Sequence, residues 1–247
     1  MNIIALDSSG MTASVSIVKD GRLAGVYTID HKKTHSETLL PMLDELKHMT
    51  ETDLSETDAI AVSAGPGSFT GLRIGAASAK GMAEALGKPI IAVPTLDALA
   101  WQFYGYAGLV CPMMDARRDQ VYSGIYSFEF DNEKKKYDLC IKSEGSALAC
   151  ADQCLKINEL YSGKKDAPVM LLGDGTDVSL SIIEETLKVP YTIAPLHRKY
   201  QDAGSLVTYA TRLYEEGKAV DAASFAPEYF RVSQAERERA EKESHEV

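Results

Sequence analysis

The apolar and polar positions fall into two successive blocks of similar layout. In the first block residues 3–6 are an apolar run, Asp7-Ser8-Ser9-Gly10 is a turn cluster, and residues 13–18 are a second run. Lys19-Asp20-Gly21-Arg22 follows, and its Asp-Gly pair suits the positive φ angles of a type I′ hairpin turn. Residues 23–29 complete a three-strand meander. Thr34-His35-Ser36-Glu37 has capping-box spacing and introduces Leu39, Leu43 and Leu46 at helical intervals, so a helix is expected there. Pro41 removes one amide and crowds the carbonyl four residues back, which predicts a kink or a late start.

Residues 59–64 read as a short strand, Gly65-Pro66-Gly67-Ser68 as a tight loop, and 70–86 as a helix closed by Gly87 and Pro89. A strand at 90–93 and a helix at 96–104 carrying Trp101 as a packing residue end the block. The second block opens with strands at 109–114, 120–130 and 137–142, the last two joined by a charged tip at 131–136. A helix at 149–160, a strand at 169–172 ending in Gly173-Asp174-Gly175, a helix at 179–187 and an amphipathic helix at 204–217 follow. Two units that each begin with a meander and continue with alternating helices and strands predict an internal duplication and a two-lobed α/β fold. The expected division is a first lobe at 1–106, a second, smaller lobe at 107–203, a helix and segment returning to the first lobe at 204–232, and a frayed charged tail at 233–247.

The chain has 247 residues and a formal net charge of −10, so its mean surface potential repels phosphate backbones and argues against a free-standing nucleic-acid binder. Lys134, Lys135 and Lys136 read as a solvated hairpin tip. The first residues lack the basic and apolar regions of a signal peptide, and no apolar stretch is long enough to span a bilayer, so a cytoplasmic protein with no membrane partner is expected. Cys111, Cys140, Cys150 and Cys154 form no CxxC pair and have no histidine cluster beside them, which favours reduced, partly buried thiols.

Three stretches, Ile4-Ala5-Leu6-Asp7-Ser8-Ser9, Thr34-His35-Ser36-Glu37-Thr38-Leu39-Leu40-Pro41 and Gly65-Pro66-Gly67-Ser68-Phe69-Thr70-Gly71-Leu72-Arg73-Ile74-Gly75, resemble in order and spacing the TsaB (YeaZ) family. Asp115-Ala116-Arg117-Arg118 with Val121-Tyr122, and Pro227-Glu228-Tyr229-Phe230-Arg231, are also similar to family signatures, so the likeness spans the chain. The resemblance implies an actin-like (ASKHA) fold and a non-catalytic scaffold subunit in the synthesis of tRNA N6-threonylcarbamoyladenosine. It implies a heterodimer with the catalytic paralogue TsaD, recruitment of the ATPase TsaE, tRNA contacted mainly through TsaD, and a homodimer through the same surface when TsaD is absent. No cofactor is expected on this chain alone; ATP and metal are expected on the partner subunits.

The residues add their own argument. The paralogue's first helix carries HxxxH, which sets two imidazoles one turn apart on one metal. Here His35 is followed four positions on by Leu39, so a metal site is not expected and His35 reads as a helix-start or contact residue. Actin-like ATPases hold nucleotide between two turns whose glycines let amides reach phosphate. Asp7-Ser8-Ser9-Gly10 keeps the first turn in form, whereas the second reads Asp115-Ala116-Arg117-Arg118-Asp119, without glycine. Asp7, Ser8, Asp115 and Arg117 are thus a vestigial nucleotide cleft, Asp7 being either a residual ligand or an inherited turn residue. The Gly65 loop lacks the Lys-Ser/Thr pair of a Walker sequence and is either a turn that aims the following helix or an anion cap.

Gly71, Gly75, Ser78 and Met82 share a helix face, and two glycines there suggest close approach of another helix. With His35, Ser36, Leu39, Leu40, Leu43 and Leu46 they form the expected partner interface, the leucines being too widely spread for one core. The competing class is an active enzyme of the same fold, an ATP-dependent kinase or a metallopeptidase-like protein. The turn without glycine opposes the first and the missing metal-site histidine four positions after His35 opposes the second.

Overall fold

The computed structural model describes residues 1–161 and 167–231. β1 (Ile3–Asp7), β2 (Ala13–Lys19) and β3 (Arg22–Ile29) form the meander, α1 (His35–Met49) leads to β4 (Ala59–Gly65), and α2 (Phe69–Leu86) to β5 (Ile90–Pro94). α3 (Thr95–Trp101) carries the chain into β6 (Val110–Asp115), β7 (Gln120–Asp131) and β8 (Lys136–Ala149). Then come α4 (Cys150–Leu160), β9 (Val169–Leu172), α5 (Gly175–Val178), α6 (Leu180–Thr186), β10 (Tyr191–Ile193) and α7 (Ala203–Glu215). The sheets are ordered β3-β2-β1-β4-β5 and, read in the equivalent direction, β8-β7-β6-β9-β10. In each, three antiparallel strands are extended by two parallel ones, so the duplication holds strand for strand and the fold is an actin-like α/β architecture.

Both faces of the first sheet are covered, which is why β1 and β4 are apolar at nearly every position instead of alternating. Ile4, Leu6, Val15, Ile60 and Val62 pack under α1 and α2, while Ile3, Ala5, Ala61, Ile91 and Val93 pack under α7 through Leu206, Val207 and Ala210. In the second sheet Val110, Met114 and Phe128 meet Leu96, Leu99 and Phe103, whereas Cys111, Met113 and Ile125 meet α4 and α6 through Cys154, Ile157 and Ile183. α3 therefore belongs to two cores, giving Ala98 to the first and Leu96 and Leu99 to the second. Trp101 packs on Tyr104, Phe128 and Tyr209, with centroids 4.9, 5.9 and 4.8 Å away.

Local signals account for most boundaries. Asp20 and Gly21 both take positive φ, 52° and 72°, in the hairpin turn. Thr34 donates its amide to the Glu37 carboxylate, and α1 starts at His35 and runs through Pro41, so the late start does not occur. α2 ends on Gly87 in the left-handed region, at φ 63°. The helix expected at 179–187 is α6, preceded by the short and unexpected α5, and β8 extends to Ala149 on a run of small and polar residues that carry little strand signal. The expected tail at 233–247 lies outside the described residues. All four cysteines are unpaired, Cys140 alone being more than slightly exposed. Among the described residues no helix is long and apolar enough to cross a membrane.

Candidate functional site

The turns after β1 and β6 face each other across a cleft of about 530 Å³. Ser9 and Gly10 line it from the first lobe, with Gly67 and Ser68 beside them, and Asp115, Arg117 and Arg118 line it from the second. Asp7 and Ser8 do not reach it, which corrects their assignment to the cleft wall. Asp7 is 1% exposed, and its Oδ1 accepts from the Ser9 amide at 3.0 Å and the Ser9 hydroxyl at 2.6 Å. Burial pushes its carboxyl above the ordinary range, partly offset by those donors. This is an Asx turn folded on itself.

Other polar atoms of the first turn are also taken up internally. Ser9 carbonyl accepts from the Ser68 amide at 2.7 Å, and the Gly10 carbonyl accepts from His35 Nε2 at 2.9 Å. His35 thereby ties the start of α1 to the turn. Ser68 Oγ accepts from the Gly71 amide at 3.3 Å, so the Gly65 loop aims α2 and clasps the first turn.

The second turn has a different character. Asp115 accepts from the Arg117 amide at 2.7 Å and pairs with its guanidinium at 3.0 Å, although the Arg117 side chain is 86% exposed. Arg117, Arg118 and Asp119 all have positive φ, 65°, 58° and 57°. The backbone thus adopts the left-handed form that glycine would adopt at no steric cost, but with side chains at all three positions, of which Arg117 and Arg118 line the cleft. Asp174 stands behind it, accepting from the Asp115 amide at 3.1 Å, and burial raises its carboxyl, with the charge of Asp115 acting in the same direction. Asp174 gives no sequence signal beyond its two flanking glycines.

The expected partner face is rearranged. Leu39, Leu43 and Leu46 are buried in the core of their own lobe with Met42, and of the four leucines only Leu40, 46% exposed, projects outward. Ser36 is exposed, close to the half-buried His35. Gly71 and Gly75 are buried too. A Cβ on Gly71 would collide with the Ser8 carbonyl, and one on Gly75 would stand 2.5 Å from Ser8 Oγ. Close approach is indeed why these positions are glycine, but the approaching group is Ser8 in the β1 turn of the same lobe rather than another helix. Ser78 and Met82 are half-buried at the margin of α2, and its outward row is Arg73, Ala77, Gly81 and Glu84.

The family model described as "TsaD: tRNA N6-adenosine threonylcarbamoyltransferase" matches residues 14–239. The tRNA threonylcarbamoyladenosine biosynthesis protein TsaB of Bacillus subtilis is 30% identical over 96% of this chain and 96% of its own length. That of Escherichia coli is 35% identical over 51% of this chain and 55% of its own. YeaZ from Pseudomonas aeruginosa superposes with a TM-score of 0.74 at 28% identity, covering 92% of this chain and 99% of that one. With a duplicated actin-like sheet, one turn folded on itself and the other crowded by arginine, the chain belongs to the TsaB (YeaZ) family.

Proposed function

We propose that this chain takes part in tRNA N6-threonylcarbamoyladenosine synthesis as a scaffold subunit without catalytic activity of its own, pairing with TsaD and helping to recruit TsaE. The observation that carries this reading is the turn after β6, where left-handed Arg117 and Arg118 line the cleft and no glycine is present to let backbone amides close on a triphosphate. His35 supports it, since its Nε2 is engaged by the Gly10 carbonyl and the residue one turn on, Leu39, is in the core. ATP and metal then reside on the partner subunits, and with a net charge of −10 this chain leaves tRNA mainly to TsaD.

The outer surfaces of α1 and α2 are the docking face in this reading. Leu40 is its apolar anchor on α1, and the small residues Ala77 and Gly81 let a partner helix approach α2. The same face serves a homodimer when TsaD is absent.

The test is reconstitution. The purified chain, given threonylcarbamoyl-adenylate and tRNA, yields no modified adenosine alone and supports modification once TsaD and TsaE are added; transfer by the chain unaided overturns the reading. Leu40→Arg should weaken co-purification with TsaD by about tenfold or more while the variant stays folded, because an arginine at an apolar anchor leaves a charge to desolvate. Undiminished pairing would remove this face from the interface.

A further inference from the structure

The segment 227–231 passes from one lobe to the other across the cleft. On the first lobe the Glu228 amide donates to the Ala64 carbonyl at 2.7 Å, at the end of β4. Gly65 takes a φ of 122°, and any Cβ there would strike the Glu228 carbonyl, so the segment lies directly on this residue. Tyr229 then packs on Phe69 at a centroid separation of 4.8 Å, and its hydroxyl accepts from Arg73 Nε at 3.3 Å. The next two residues belong to the second lobe. Phe230 meets the edge of Tyr122 at 6.2 Å and fills the space that a Cβ on Gly145 would enter, while Arg231 Nη1 donates to the Ala116 carbonyl in the second turn.

The lobes also meet through α3, α7 and the segment 199–202, where the Gln201 carbonyl accepts from the Thr12 hydroxyl of the first lobe at 2.8 Å and the Lys199 carbonyl from the Gly173 amide of the second at 2.7 Å. Asp97 of α3 accepts from Tyr126 of β7 at 3.0 Å and from Tyr209 of α7 at 3.2 Å, and Arg212 of α7 pairs with Asp138 of β8 at 2.6 Å. No residue of α3 or α7 lines the cleft, whereas Tyr229, Phe230 and Arg231 all do. A body joined only at α3, α7 and 199–202, none of which lines the cleft, could still swing it open and shut. Two lobes sharing one modest interface move relative to each other by default.

We propose that segment 227–231 is a cross-brace that fixes the opening of the cleft, so that the two lobes behave as one rigid body. The brace works through opposed attachments two residues apart: Tyr229 is held by α2, and Phe230 and Arg231 by β7, β8 and the second turn. The hinge motion available to a two-lobed protein of this kind is thereby given up, and a fixed surface is presented to whatever docks on it. This proposal concerns the chain by itself and stands apart from the identity of its partners.

The test is a distance measurement between lobes. In a Cys140→Ser background, whose remaining cysteines are buried, spin labels are placed at Glu56 in the first lobe and Lys156 on α4, both exposed. Pulsed dipolar spectroscopy should give one narrow distance distribution for the parent. Phe230→Ala combined with Arg231→Ala releases the second-lobe end only, and should widen the distribution by about twofold or more. If that pair fails to fold, Arg231→Ala, which keeps the Phe230 packing, is read in the same way and should also widen it. An unchanged width in a folded variant overturns the brace, as does a parent distribution that is already broad.

Discussion

The hydroxyl of Ser8 donates to the carbonyl of Gly71 at 2.8 Å, and a Cβ on Gly75 would lie 2.5 Å from that same hydroxyl oxygen. One residue of the β1 turn thus occupies the room that two helical glycines leave open, with its backbone carbonyl at Gly71 and its side chain at Gly75. Gly75→Ala should destabilise the fold by about 2 kcal/mol, as overpacking of a tight site does. Combined with Ser8→Ala, the obstructing oxygen is gone, and the double variant should be more stable than the two single effects predict by about 1 kcal/mol. Gly71→Ala meets the Ser8 backbone carbonyl and gains no such relief. Urea unfolding of the cycle decides it: strict additivity for Ser8 and Gly75 contradicts the packing described.

Adjacent leucines on α1 should respond very differently. Leu39 is 1% exposed and Leu40 46%. Leu39→Ala leaves a cavity under β1 and β4 and should cost about 2–5 kcal/mol. Leu40→Ala should change the stability of the isolated chain by less than about 0.5 kcal/mol. Equal losses in thermal melts would mean that α1 is turned about its axis from the orientation seen.

Asp97 makes a pH prediction. Burial raises its carboxyl above the ordinary value of 3.8, opposed by the hydroxyls of Tyr126 and Tyr209, with Glu144 raising it further and Lys218 lowering it. A raised acid binds its proton more tightly in the folded state, so the stability it contributes at low pH is lost as pH climbs from the unfolded value through the folded one. Asp97→Asn cannot ionise. Its stability relative to the parent should therefore improve as pH rises from about 4, whatever the offset between the two. A pH-independent difference in melts run over that rise would show that Asp97 titrates normally.

Arg118 holds a φ of 58° in the exposed second turn. A residue with a Cβ gives up about 1 kcal/mol there, and glycine none, though glycine adds freedom to the unfolded chain. Arg118→Gly should stabilise the protein by about 0.5 kcal/mol, visible as a higher denaturation midpoint. A clear loss would show that the guanidinium makes an interaction worth more than the backbone relief.

Much of this architecture is legible in the residues because the relevant signals are local. Asp20-Gly21 dictates its hairpin, Thr34 and Glu37 mark the start of α1, and Gly87 ends α2. The duplication is readable from repeated strand patterns. What escaped depends on contacts distant in sequence. Gly71 and Gly75 announce a close approach but not by what, since the answer lies at Ser8. Three residues of β10 and four of α5 are too few to show a period. The buried Gln201, pressed against Gly10 with neither side-chain heteroatom hydrogen-bonded among the described residues, has no sequence signature at all. The aromatic pair Tyr229-Phe230 is visible as a motif, yet its span between lobes appears only when both are folded.

The return of α7 to the first sheet also sets an order of events at the ribosome. Ile3, Ala5, Ala61, Ile91 and Val93 emerge early, but the residues that shield them, Leu206, Val207, Ala210 and Leu213, follow more than a hundred positions later. Until then one side of the nascent sheet is bare apolar surface, so the N-terminal half should not mature as an autonomous unit and is a natural client for chaperones. Any expression fragment that stops short of α7 should aggregate for the same reason.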